Sequence, residues 1–254
     1  MKVSVLASGS KGNVTYLEIG NKKFLLDAGK NYKYINEELK KQNINPLEID
    51  YIVISHNHDD HISALKTLIS KTKASVIISE KMLYEIDDLK QYPHIIVCED
   101  EIEIDGIKII SYRSSHDAID SRNFVFEFDN KKIGYITDTG YINKKYFPIL
   151  KNLDIYLFES NHDIQLLQDG PYKPWLKRRV LSDYGHLSNK LASFYLAKLI
   201  GENTKKIILI HLSETNNLEE IAMETINNTF IDYEIDFKSI VCARQNEATE
   251  LIEI

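Results

Sequence analysis

Cysteine is scarce. Cys98 and Cys242 are the only two in 254 residues, they lie far apart, and no Cys-x-x-Cys occurs. This excludes a cysteine-built zinc knuckle and a disulfide scaffold, and leaves buried free thiols in a reducing cytoplasm as the expected state. Also missing is any run of about 18 uncharged apolar residues, so no segment is expected to span a membrane. The apolar part of residues 1–13 is too short for a signal peptide and runs into Gly and Ser, so it reads as a first strand and a turn. Positive charge is in deficit, 31 Lys+Arg against 38 Asp+Glu, a net −7. Such a chain does not coat nucleic acid by charge alone, although one local cationic site for phosphate stays open. Finally, there is no Gly/Pro/Ser linker, repeat or low-complexity run. One cytoplasmic domain over residues 1–254 is the expectation.

What is present is ordinary globular material, 43% hydrophobic and 27% charged, with clear periodicities. Strands are expected over 3–6, 14–19 and 22–27, then a helix over 31–42. Residues 50–55 form a β-branched run of the kind seen in strands covered on both faces. A helix follows from near His61, with Leu65, Leu68 and Ile69 on one face, and then a strand over 75–78. Further strands are expected over 106–112, 123–128 and 131–136, with Asp129-Asn130 as a hairpin turn, and over 154–159. Helices over 188–199 and 217–228 flank a strand over 206–210. Asn217 and Glu220 have capping-box spacing. Short strands over 239–242 and 248–252 close the chain. Two strand groups, each with its own helices, predict an α/β (α+β) sandwich: two mixed sheets face to face, helices on the outer faces.

The sharpest signal is His56-Asn57-His58-Asp59-Asp60-His61, directly after the strand over 50–55. Burying three imidazoles and a carboxylate there without a cation would leave polar groups unpaired. His56 and His58, two apart in an extended loop, can share one ion, while Asp60 and His61 turn toward a second. His116 and His211 each follow a predicted strand. Taken singly each is an ordinary histidine, but beside the first cluster both read as ligands. Asp138, also at a strand end, reads as a carboxylate between two dications, which sit about 3.5–4 Å apart in such sites. The expected sets are His56, His58 and His116 for one ion, and Asp60, His61 and His211 for the other, with Asp138 shared. Two such ions can hold a phosphate oxygen and a bridging hydroxide, since zinc lowers the pKa of bound water to about 7.

These residues resemble the binuclear metallo-β-lactamase superfamily, an αββα sandwich with its site at one edge. Residues 6–13, 26–29, 159–163, 181–189 and 211–217 are further similar to the YycJ (WalJ) family of bacterial hydrolases. The resemblance spans nearly the whole chain. It implies a metal-dependent phosphodiesterase, a DNA exonuclease with a link to mismatch repair and hence to DNA-repair proteins. The ions would be Zn²⁺ or Mn²⁺, since His-rich sites take zinc and Asp-containing phosphodiesterase sites also run on manganese. DNA is the expected substrate in preference to RNA. Hydrolysis of a small carbonyl substrate, a thioester or lactone, is the alternative on the same scaffold.

The Lys-Arg-Arg run over 177–179 can clamp phosphate by charge-assisted bonds, and the resemblance favours Lys177 and Arg179 within it as the substrate contacts. The polar loop with Ser8, Ser10 and Asn13 can cradle a phosphate or form a structural turn. His162 follows a strand end and is expected to line the cleft. His186 is expected to act with Asp60 in catalysis, as a general acid. Its setting resembles the position where ribonuclease Z enzymes carry a proton-donating histidine, and a DNA leaving group is a basic alkoxide that needs a proton or a metal.

Overall fold

The computed structural model describes residues 1–254. One sheet contains β1 (Lys2–Ala7), β2 (Val14–Ile19), β3 (Lys22–Leu26), β4 (Tyr51–Val53), β5 (Ser75–Ile78) and β6 (Ile95–Val97). The other contains β7 (Glu101–Ile104), β8 (Ile107–Arg113), β9 (Arg122–Phe128), β10 (Lys131–Ile136), β11 (Ile155–Glu159), β12 (Lys206–Ile210) and β13 (Ile240–Cys242). The last strand, β14 (Ile252–Glu253), returns to pair with β1. The orders are β14-β1-β2-β3-β4-β5-β6 and β13-β12-β11-β10-β9-β8-β7. The two sheets are built alike. In each, one half is antiparallel and the other, from β3 to β6 and from β10 to β13, is parallel.

The helices are α1 (Tyr32–Lys41), α2 (Asp59–Ile62), α3 (Leu65–Thr72), α4 (Glu80–Glu85), α5 (Phe147–Leu150), α6 (Ile164–Asp169), α7 (Pro174–Val180), α8 (Asn189–Leu199) and α9 (Glu219–Asp232). Three apolar layers account for the arrangement. Val5, Leu17, Phe24 and Val53 meet Ile109, Phe126, Leu157 and Ile208 between the sheets. Outside the first sheet, Leu25, Ile52 and Val76 pack on Ile35, Leu39, Leu65 and Leu68. Outside the second, Tyr156, Phe158 and Leu209 pack on Leu196, Ile226 and Phe230. Strands such as β4 and β11 are therefore buried on both faces, which is why their sequence is apolar without alternation. Asp129 and Asn130 both have positive φ, 51° and 60°. The β9–β10 hairpin needs that of a type I′ turn, and Asp and Asn tolerate it.

Some expectations need correction. No capping box forms at Asn217: α9 starts at Glu219 behind Leu218, without a side-chain cap. Asn217 instead donates to the Ser160 and Asn161 carbonyls at 2.9 and 3.1 Å, because those buried acceptors have the stronger need of a donor. The strand expected over 248–252 is reduced to Ile252–Glu253, since the Thr249 hydroxyl takes the Val5 N–H at 2.9 Å. The edge strand β7 reads Glu-Ile-Glu-Ile, a period-2 pattern too short to stand out by itself.

Candidate metal centre and active site

The parallel strands of both sheets deliver side chains to one edge of the sandwich. Asp27 follows β3, Asp138 follows β10, Glu159 ends β11 and His211 follows β12. Asp27, Asp138 and His211 adopt positive φ of 59°, 46° and 58°, an unusual backbone region for residues other than glycine. Each turns sharply off its strand, so its side chain faces the same space.

His56, His58 and His116 form one set, and Asp60, His61 and His211 another. Asp138 groups with His56 and His61, and in each set the ligand atoms lie within 4.8 Å of one another. Asp138 faces both sets, with Oδ1 3.5 Å from His116 Nε2 and Oδ2 3.2 Å from His61 Nε2. His211 Nε2 lies 3.6 Å from Asp60 Oδ2.

A ring of buried acceptors fixes how the imidazoles point. His61 Nδ1 lies 2.7 Å from Asp27 Oδ2, which also accepts from Ser55 Oγ at 2.8 Å and Tyr135 Oη at 2.7 Å. His116 Nδ1 lies 3.1 Å from the Gly185 carbonyl. A Cβ at Gly185 would stand 2.2 Å from the Val180 carbonyl oxygen, so only glycine lets this loop close on His116. Glu159 Oε1 lies 2.7 Å from His186 Nδ1 and 3.0 Å from His211 Nδ1. Its Oε2 accepts from the Thr139 and Leu187 N–H groups.

Burial holds His56 and His116 below the ordinary histidine range, as neutral imidazoles. Burial opposes charge on His211 too, but Asp138, Asp60 and Glu159 outweigh it and raise the group to about 10. Burial likewise opposes charge on Glu159, yet the neighbouring His186 and His211 bring it to about 2.

These residues suit a divalent cation on their own chemistry. The Nε2 atoms of His116 and His211 are buried without any hydrogen-bond partner, a costly state that a cation between the sets relieves. Zinc and manganese take neutral imidazole and carboxylate. His56 and His116 already hold the neutral form, and a cation would displace the proton that the neighbouring carboxylates hold on His211.

A cavity of about 410 Å³ lies over the centre, lined by Ser10, His58, Asp60, Arg179, His186 and His211 among others. Of the expected substrate residues, Ser10 and Arg179 line it. Arg179 is tied to Asp117, with Nη2 2.9 Å from Oδ1. Lys177 does not line it and donates to the Gln168 carbonyl at 2.6 Å. Ser8 and Asn13 are buried beneath the candidate ligands. Ser8 Oγ accepts from His211 N at 2.6 Å, and Asn13 N donates to the Asp60 carbonyl at 2.8 Å. His162 lines a neighbouring cavity instead. Asp27 and Glu159 lie outside the expected site residues. The signal for both was available: an acid ending a buried parallel strand, as at Asp138.

The Metallo-beta-lactamase superfamily model matches residues 7–168. The chain is also 38% identical over 264 aligned residues to "Exodeoxyribonuclease WalJ" of Streptococcus pneumoniae serotype 2, covering 100% of this chain and 98% of the relative. This chain belongs to the WalJ/YycJ family of the metallo-beta-lactamase superfamily. "Exodeoxyribonuclease YycJ" of Bacillus anthracis is 37% identical over 230 residues, 88% of this chain and 87% of its own. The crystal structure of the metallo-beta-lactamase fold protein YhfI from Bacillus subtilis superposes with a TM-score of 0.75 at 14% identity, covering 98% of both chains. That likeness is one of fold. No helix of the chain is long and apolar enough to cross a membrane.

In this WalJ/YycJ-family site the Asp27 carboxylate is set to act through His61. Asp27→Asn keeps the shape but replaces the charged acceptor at 2.7 Å from His61 Nδ1. Metal affinity is expected to fall about 10–100-fold, the usual effect of removing such a partner. Chelator competition measures it, and an unchanged affinity would show that Asp27 only supports the fold.

Proposed function

We propose that the protein is a metal-dependent exodeoxyribonuclease working with two divalent cations, Zn²⁺ or Mn²⁺. His56, His58 and His116 would hold one, Asp60, His61 and His211 the other, and Asp138 both. The observation that carries this reading is that Asp138 lies between the two ligand sets in the cavity that His186 also lines. Bound there, such cations neutralise phosphate charge and make hydroxide available near neutral pH. The side chains do the rest. Glu159 holds His186 by Nδ1 and fixes the direction of the ring. No protein group bonds His186 Nε2, which is left to give its proton to the leaving oxygen. Arg179 receives a phosphate oxygen at the cavity wall. A DNA substrate, a cytoplasmic setting and DNA-repair proteins as partners belong to the same reading, as does the whole chain acting as one unit.

The test is a panel of labelled DNA and RNA strands with protein loaded with zinc or manganese, and EDTA controls. Shortening of DNA from an end is expected. Turnover of a thioester or lactone with no cut in nucleic acid would overturn the reading in favour of a carbonyl hydrolase. Arg179→Ala is expected to weaken DNA binding and reduce the slope of log affinity on log salt by about 1, at unchanged metal content. Lys177→Ala is expected to do less, because its ammonium is held by the Gln168 carbonyl and Lys177 does not line the cavity. Equal effects in salt titrations would show that the run acts only as diffuse charge.

A further inference from the structure

A second cavity, of about 480 Å³, adjoins the first, and His186 is the one residue that lines both. Its size is within the roughly 300–1,000 Å³ typical of small-ligand sites. Its walls are Ile164, Leu181, Leu191 and Phe194. All four are large apolar side chains left between 36% and 45% exposed. Also lining it is His162, 1% exposed, with both ring nitrogens buried and without a hydrogen-bond partner. The His162 main chain is fixed, its carbonyl accepting from Asn189 N at 2.9 Å. Burial also lowers its pKa, to about 4, so the ring offers one donor and one acceptor. A buried imidazole with neither nitrogen satisfied is costly unless a ligand completes it. Charge at the cavity is balanced, one Lys190 against one Asp183, which suits a neutral flat group better than a phosphate.

Resting on the phosphodiesterase reading, we propose that this pocket holds the nucleobase of the leaving nucleotide. The base stacks on Phe194 between the aliphatic walls, and His162 bonds its edge. Position decides which nucleotide is meant. His186 gives its proton to the leaving oxygen, so the nucleoside bearing that oxygen lies on the His186 side of the phosphate. The cavity bordering His186 on that side takes its base. Stacking tolerates every base, since each has a π-face, so the pocket selects for the presence of a base more than for its identity.

The experiment uses short single strands lacking the base at either the terminal or the penultimate nucleotide, with metal-loaded protein. The product that carries the phosphate identifies the leaving side. Loss of the leaving-side base is expected to lower kcat/KM about tenfold, within the range of base–aromatic stacking, and loss of the other base to lower it less. In Phe194→Ala, a rim variant checked by thermal melting, the discrimination is expected to shrink toward one. His162→Gln, which keeps a donor and an acceptor, is expected to retain more of it than His162→Ala. Equal losses for the two base-free strands, or unchanged discrimination in Phe194→Ala, would overturn the pocket while the nuclease reading stands. No cleavage of any DNA by the loaded wild type would overturn both.

Discussion

His186→Ala is expected to lower DNA cleavage about 10²–10⁴-fold, the usual contribution of a positioned proton donor. The loss should depend on the leaving group. A deoxyribose alkoxide is strongly basic and needs a proton as the P–O bond breaks, whereas a nitrophenolate leaves without one. An activated nitrophenyl phosphodiester should therefore be hydrolysed far closer to the wild-type rate. Glu159 Oε1 also lies 3.0 Å from His211 Nδ1, so that partner remains when His186 is removed, but His186 itself groups with Asp138, Glu159 and His211, which is why metal content is part of the test. Parallel kinetics on both substrates, with metal content measured on the same samples, decide the matter. Equal losses on the two, or the loss of an ion, would make His186 a structural or ligating residue.

The second large effect is expected at Asp138. Asp138→Ala should reduce the metal content of loaded and desalted protein from two ions to one or fewer. DNA cleavage should fall at least about 10³-fold, since the cations supply several kcal/mol of charge stabilisation. The reason is electrostatic. Asp138 is the only carboxylate with an oxygen within 3.5 Å of an imidazole nitrogen from each set, and two dications without an anion between them repel. Backbone strain must be separated from charge, because Asp138 sits at φ 46°, where alanine is disfavoured and asparagine is tolerated. Asp138→Asn is thus the companion variant, expected to fold as wild type and still to lose stoichiometry. Elemental analysis gives the answer. A wild-type content at or below one ion, unchanged by either substitution, would sink the two-cation arrangement.

Not every strand was equally legible. Those over 50–55, 154–159 and 206–210 could be read because burial on both faces leaves uninterrupted apolar runs. The edge strands β6 and β7 could not, because short, half-exposed segments carry little pattern. The cluster from His56 to His61 was legible because its chemistry is local, and so, by position after a strand, were His116, Asp138 and His211. The substrate residues were less so. Lys177 and Arg179 are two apart on α7, about 200° around a helix. One reaches the Gln168 carbonyl and the other the cavity, a difference that composition does not contain.

By itself, then, the amino-acid order determined the two-sheet sandwich and the loops that carry the candidate ligands. Each is written within one element or its end, where periodicity and residue type suffice. Only the tertiary structure decided the rest. It showed that Asp27 and Glu159 hold the imidazoles, that Ser8 and Asn13 hold the main chain of His211 and Asp60, and that His162 lies beside a second cavity. These roles depend on contacts between residues far apart in the chain, such as Asp27 with Tyr135 and Glu159 with His211. Such contacts exist only once parallel strands of both sheets end at one edge, and no local pattern encodes that meeting.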